Sequence, residues 1–214
     1  MAGWESLRAD LLRLREESPD ALVMWQSPEK EWRPERQFLI ELAAWATEIA
    51  GTLKATYGDL VDLRVGAMLF PARELWAGEA ARQVPAPRAE AFGLDVEIVS
   101  PLSVQTGRFA HREVLVTNRT DREQVLFTTG ELDSVVTDSS GIVVGRYVGP
   151  RYAKRVGFPV EARQSRAVPV LIGTASLVPD LGYAVPPGRW GLVIAVHTDE
   201  GHMRSSPLEI TVTP

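Results

Sequence analysis

The feature that most restricts the fold of this chain is a change of hydrophobic period. At Trp190, Leu192, Ile194 and Val196 every second residue is large and apolar, and the alternation returns at Leu208, Ile210 and Val212. A period of two places these side chains on one face of a pleated strand. Between the two runs lies Thr198-Asp199-Glu200-Gly201-His202. Glycine tolerates positive φ, so this segment reads as a type I turn closed by a glycine bulge, with Thr198 paired to His202. That pairing sends the even-numbered residues of both strands to one face, and the turn then agrees with the hydrophobic register.

Shorter runs are expected as strands near Leu94–Val99, Arg112–Thr117, Gln124–Thr128, Ser134–Asp138, Gly141–Tyr147 and Arg166–Ile172. Asn118-Arg119-Thr120-Asp121 and Asp138-Ser139-Ser140-Gly141 supply hairpin-turn chemistry between them. Strands at this spacing predict an immunoglobulin-like antiparallel β-sandwich over residues 92–214. The Cys…Trp…Cys core of antibody domains is absent, because the chain has no cysteine.

Several segments carry a resemblance. They are Val116-Thr117-Asn118-Arg119-Thr120, Val125-Leu126-Phe127-Thr128-Thr129-Gly130 and Val135-Val136-Thr137-Asp138-Ser139-Ser140-Gly141-Ile142-Val143-Val144, then Val185-Pro186-Pro187-Gly188-Arg189-Trp190 before the penultimate strand. This progression is similar to the immunoglobulin-like domain of the bacterial intracellular proteinase inhibitor family. The resemblance covers roughly 100 residues of the second half. Where that family often has a Trp after the central hairpin, this chain has Gly145-Arg146-Tyr147. The resemblance implies proteinase inhibition as one possible activity.

The first half has another texture. Five of the six tryptophans precede residue 90. Trp4, Leu7, Leu11 and Leu14 recur at helical spacing, predicting a helix over residues 3–17. Phe38, Leu42, Trp45, Ile49 and Leu53 predict a long second helix from about Glu35 to Tyr57, entered at Pro34 and left at Gly58. Strands are expected at Ala21–Trp25 and Leu63–Phe70, and a further helix around Ala72 to Arg82. Strand, helix and strand predict a β-α-β unit. The fold class is therefore α+β overall: a small α/β domain over 1–82, a proline-bearing linker over 83–91, and the sandwich over 92–214.

Composition sets the outer limits on function. With 45% apolar and 24% charged residues the chain reads as globular. Its net charge of -5 gives no generic attraction to nucleic acid. Lack of cysteine removes disulfides, thiolate nucleophiles and Cys-ligated metals, and it suits a reducing compartment. Charges recur through the first 20 residues, so they do not form a signal-peptide core, and no apolar run approaches a membrane span. The expectation is a cytoplasmic protein without membrane attachment, in which the sequon at Asn118 is only a turn.

Catalytic signatures are missing: no Gly-x-Ser-x-Gly elbow, no His-Glu-x-x-His helix, no phosphate loop and no dinucleotide fingerprint. Glu16-Glu17 and Asp199-Glu200 are adjacent in sequence, so their side chains point apart and form no acid–base couple. His197 and His202 flank an acidic turn, but the register above places them on opposite faces, which predicts no metal site. His111 has no evident partner. No cofactor and no metal are therefore expected. Trp25 and Trp32 are expected to be buried between the two halves.

The most unusual stretch runs from Arg146 to Arg166. It holds Arg146, Arg151, Lys154, Arg155, Arg163 and Arg166 against a single acid, Glu161, with Tyr147, Tyr152 and Phe158 interleaved. It reads as a long basic loop on a rigid scaffold, the kind of segment that often binds partners. Arg146, Arg151, Tyr152, Lys154, Arg155, Arg163 and Arg166 are accordingly the candidate contact residues. The expected function is non-enzymatic binding of a protein partner. The alternatives are an intracellular proteinase inhibitor and a hydrolase with a cleft between the halves.

Overall fold

The computed structural model describes residues 3–27, 37–76, 86–151 and 154–214. Helix α1 (Trp4–Glu17) is followed by β1 (Leu22–Gln26), β2 (Phe38–Leu42), α2 (Thr47–Tyr57), β3 (Val61–Val65) and β4 (Met68–Phe70). The strands form one sheet in the order β1-β2-β3-β4, with β2 and β3 parallel and the other pairs antiparallel. Phe38, Ile40 and Leu42 lie opposite Val61, Leu63 and Val65 and share a buried face. Onto that face pack Leu7 and Leu11 of α1, then Ala50, Leu53 and Tyr57 of α2. The Tyr57 hydroxyl donates to Asp10 at 2.5 Å, tying the two helices together. Burial, and after it the Asp10 carboxylate, pushes the Tyr57 pKa up to about 12.

The β-α-β unit is present, but its parts differ from the expectation. The long second helix does not exist: Phe38–Leu42 is a strand, and α2 begins only at Thr47. Leu39 is buried as well as Phe38 and Ile40, so both faces of β2 are covered. A short run that is apolar on both faces is what a central parallel strand requires, and its spacing also fits a helix. The crossover is therefore β2-α2-β3, and β1 lies antiparallel to β2 at the edge. The expected strand Leu63–Phe70 breaks at Gly66, where φ is +58°, into the β3–β4 hairpin. Residues 72–76 are not helical, since Leu75 bridges back to Met68; the rest of that expected helix lies outside the described residues. So do Pro34 and Trp32.

The second half holds β5 (Leu94–Ile98), β6 (Leu102–Gln105), β7 (Phe109–Asn118), β8 (Gln124–Thr128), β9 (Leu132–Thr137), β10 (Val143–Arg146), β11 (Val156–Val160), β12 (Ser165–Gly173), β13 (Ala175–Ser176), β14 (Gly188–Thr198), β15 (Gly201–Arg204) and β16 (Leu208–Thr213). Hydrogen bonding runs through β5-β7-β12-β9-β14-β16-β6, and β8–β11 form a separate ladder. This is a β-sandwich: Val114, Val116, Val168, Val170 and Ile172 meet Leu192, Ile194, Val196, Ile210 and Val212 in one core. Strand β9 bridges the layers, parallel to β12 and antiparallel to β14. Two pairings, β9–β12 and β6–β16, are parallel, which departs from the expected antiparallel sandwich.

The turn after β14 departs from its expectation by one residue. Thr198 lies opposite Gly201, so the loop is Asp199–Glu200, and His197 faces His202 directly. The Thr198 hydroxyl accepts from the Glu200 amide at 3.1 Å and tightens the loop. The hydrophobic register of the last strand is nevertheless as expected, with Leu192 opposite Leu208 and Trp190 opposite Ile210. The extra residue is taken up at 205–207, where the burial phase moves from odd Met203 and Ser205 to even Ile210 and Val212. Pro207 has no amide hydrogen to continue the ladder, and the Ser205 hydroxyl accepts from the Ile194 amide at 3.0 Å.

The two halves touch through specific contacts. Arg108 lies over the Trp45 ring at 3.6 Å and pairs with Asp20. A Cβ on Gly107 would come within 3.0 Å of the Trp45 backbone. Tyr183 joins the core of the first half, its ring 5.9 Å from Phe70. Among the described residues, Trp45 is thus a tryptophan at the junction. Trp25 instead stacks on Phe38 inside the first half, at 6.3 Å. Pro87 accepts from the Arg204 amide at 3.0 Å, and Ala89 is fully buried in the sandwich core.

Candidate functional site

The strands that fill the core with one parity present the other parity outward. Pairing aligns His111 of β7 with Leu171 of β12, Leu171 with Asp133 of β9, Asp133 with Ala195 of β14, and Ala195 with Arg204 of β15. Residues aligned across strands point to the same side, so these five form one row across the outer face. Continuing the β9–β14 register by two residues brings Glu131 level with His197, which faces His202. All three histidines of the chain therefore meet on one surface. No single segment of sequence contains this cluster; the strand pairing makes it.

His111 does have a partner: its Nδ1 lies 2.5 Å from the Glu131 carboxylate. Asp133 pairs with Arg151. His197 and His202 are edge to face, ring centroids 4.3 Å apart at 89°, with their Nδ1 atoms turned toward each other. Burial, and then the charge of His202, draws the His197 pKa below the usual histidine value. Among the described residues no group of three or more His, Cys, Asp or Glu is arranged to hold a metal ion.

Two depressions share Asp133, Ala195, His197 and His202. One, of about 420 Å³, is completed by Phe127, Thr128, Thr129, Glu131, Leu132, Arg155 and Thr198. The other, of about 480 Å³, is more apolar and includes Val135, Val143, Val193 and Met203. A third cavity, of about 340 Å³, opens at the junction of the halves beside Asp20, Trp45, Arg108, Arg146 and Tyr147. Phe109, 47% exposed, links these regions: its ring is 5.3 Å from Tyr147 and 5.6 Å from His111. Burial, and then Glu131, pushes the Tyr147 hydroxyl up.

The basic stretch is not one long loop. Its middle is β11, paired with β8 from Val156 opposite Thr128 to Val160 opposite Gln124. Alternation is weak there because Gly157 and Pro159 interrupt it. The candidate contact residues divide accordingly. Arg151 packs at 5.4 Å from the centre of the Tyr147 ring, and Arg155 lies 3.7 Å over Phe127, beside the histidines; Lys154 is exposed next to it. At the far end of β11, Arg163 pairs with Asp121 at 2.8 Å, and Arg166 donates to the Pro159 carbonyl at 2.8 Å. Arg146 ends β10 and lines the junction cavity, where burial draws its pKa down. Tyr152 lies outside the described residues. The structure brings Arg151 and Arg155 to the histidine face and leaves Arg163 and Arg166 at the opposite end.

The helices of the described residues include none long and apolar enough to cross a membrane. No protein-family model matches the sequence, and no curated protein matches it. Among solved structures, the chain is similar to a β-glucosidase from Listeria innocua, with 13% identity over 56% of this chain and 16% of that one, at a TM-score of 0.33. It is also similar to the PapD-like domain 7 of human CEP192, with 10% identity over 62% of this chain and 89% of that one, at a TM-score of 0.26. A CARDB domain of the PF1109 protein from Pyrococcus furiosus aligns with 13% identity over 65% of this chain and all of the other, at a TM-score of 0.26. The match to the β-glucosidase spans about one sixth of that enzyme's length. Likenesses at this level assign no activity.

Proposed function

We propose that this chain is a cytoplasmic binding protein. Its contact surface is the outer sandwich face around Asp133, His197, His202, Arg151 and Arg155, and its partner is a protein. The observation that carries this reading is the pair of adjoining depressions, about 420 and 480 Å³, that share the histidine pair. They present Asp133, Ala195, His197 and His202 on paired strands, which hold them in fixed positions at little entropic cost to binding, with Arg155 just before β11 beside them. Arginine and aromatic side chains together are the types that dominate interface energetics. The cysteine-free composition suits a reducing compartment.

The test is Arg151→Glu combined with Arg155→Glu. Partner capture should be lost while a far-ultraviolet CD spectrum shows the fold retained, because Arg155 is exposed and Arg151, half-buried beside Asp133, lies outside the sandwich core. Unchanged capture would remove this face as the contact.

Proteinase inhibition is the narrower form of this reading, implied by the sequence resemblance. A panel of serine and metalloproteases, none of them inhibited, would remove it. The hydrolase alternative draws on the junction cavity of about 340 Å³. There Asp20 is engaged by Arg108, and the Thr174 hydroxyl donates to the carbonyls of Gln105 and Arg108, so neither group is disposed as a nucleophile or base. Soaking with small polar ligands that leaves this cavity empty would count against it.

A further inference from the structure

We propose that His197 and His202 form a chelating pair for a divalent transition-metal ion such as Zn²⁺ or Ni²⁺, with water in the remaining coordination positions. Three observations carry this. The two residues are directly opposed on β14 and β15, a placement that sets their Cβ atoms about 5 Å apart. Their Nδ1 atoms face each other edge to face. The hairpin is also short, closed by the Asp199–Glu200 loop and anchored by fully buried Val196 on the opposite parity. The rings therefore project from a fixed base.

Zinc and nickel are well matched by neutral imidazole, at about 2.0–2.1 Å for zinc. A tetrahedral angle at the ion would then separate the two nitrogens by about 3.3 Å. The rings would open slightly from the arrangement without metal. The charged groups around the pair are Glu131 and Asp133 from the β9 side, Arg155 from the start of β11, and Arg204 on β15. Glu131 is held by His111 and Asp133 by Arg151, so they balance charge and are not counted as ligands. This inference does not depend on the identity of any protein partner.

The test uses the full chain stripped with EDTA and titrated with Zn²⁺ and Ni²⁺ alone, followed by calorimetry. One ion should bind per chain, with saturation. His197→Ala and His202→Ala should each weaken binding by about tenfold or more, since either leaves a single ligand, while His111→Ala should have no effect. Should an alanine variant fail to fold, the imidazole nitrogens of the unmodified chain can be followed by NMR. Zn²⁺ should shift Nδ1 of His197 and His202 together and leave His111 unmoved. No saturable binding, equal loss in the His111 variant, or a proton shared between the rings that Zn²⁺ does not displace would each overturn the proposal.

Discussion

The same strands carry two chemistries on alternate residues. On the inner parity, Val136, Leu192, Ile194 and Val196 are fully buried and form part of one apolar core. On the outer parity, Asp133, Ala195 and His197 stand beside Arg151, Arg155 and His202. The inner set supplies burial energy and is interchangeable with other apolar residues of similar size. The outer set contributes little to stability but acquires meaning from the register the inner set enforces. A one-residue slip would exchange the two faces, so the positions of the functional groups are a consequence of core packing.

That division predicts a graded set of effects. The largest belongs to the core: Ile194→Ala should cost about 2–5 kcal/mol in urea unfolding, and a cost near zero would break the distinction. Gly173→Ala follows, because a Cβ there would meet the Tyr147 backbone at 2.2 Å; overpacking should cost about 1–3 kcal/mol. Asn118→Ala should be comparable, at about 1–3 kcal/mol. This fully buried side chain donates to the Arg122 and Val160 carbonyls at 2.7 and 3.0 Å and accepts from the Thr120 amide at 2.9 Å. On the outer face, Asp133→Asn removes the partner of Arg151 and should change stability by about 1 kcal/mol or less. The smallest effect is a slope. Because the folded-state pKa of His197 is lowered, the unfolded chain binds the extra proton more readily, so stability is lost as pH falls below about 6.5. A His197→Asn variant should show a shallower decline over that window in thermal melts, and an identical one would blur the comparison.

The inner face was largely legible in the sequence and the outer face was not. Strands β5, β7, β8, β9, β10, β12, β14 and β16 fall where alternation predicts them, because buried positions must be apolar. Strand β11 is not legible because Gly157 and Pro159 weaken its pattern. The facing of His197 and His202 is hidden in the sequence for a local reason. Glycine at 201 suits either a two-residue or a three-residue loop, and the hydrophobic register beyond Pro207 could not choose between them, since a bulge at 205–207 absorbs the difference. The His111–Glu131 contact spans β7 and the start of β9, and depends on β12 lying between them. No spacing within one segment encodes that neighbourhood. In the first half, Phe38–Leu42 reads as helix from sequence because Phe38, Leu39 and Ile40 are apolar in succession and show no period of two.

The proposed contact is confined to the outer face beside the histidines. A photo-crosslinking side chain placed at residue 155 can be compared with one at residue 189, a site whose native side chain is 80% exposed. It sits eight residues along β14 from His197, about 26 Å away. The account predicts one recurrent crosslinked polypeptide from position 155 and none from position 189. Equal labelling from both positions, or labelling from 189 alone, would contradict it.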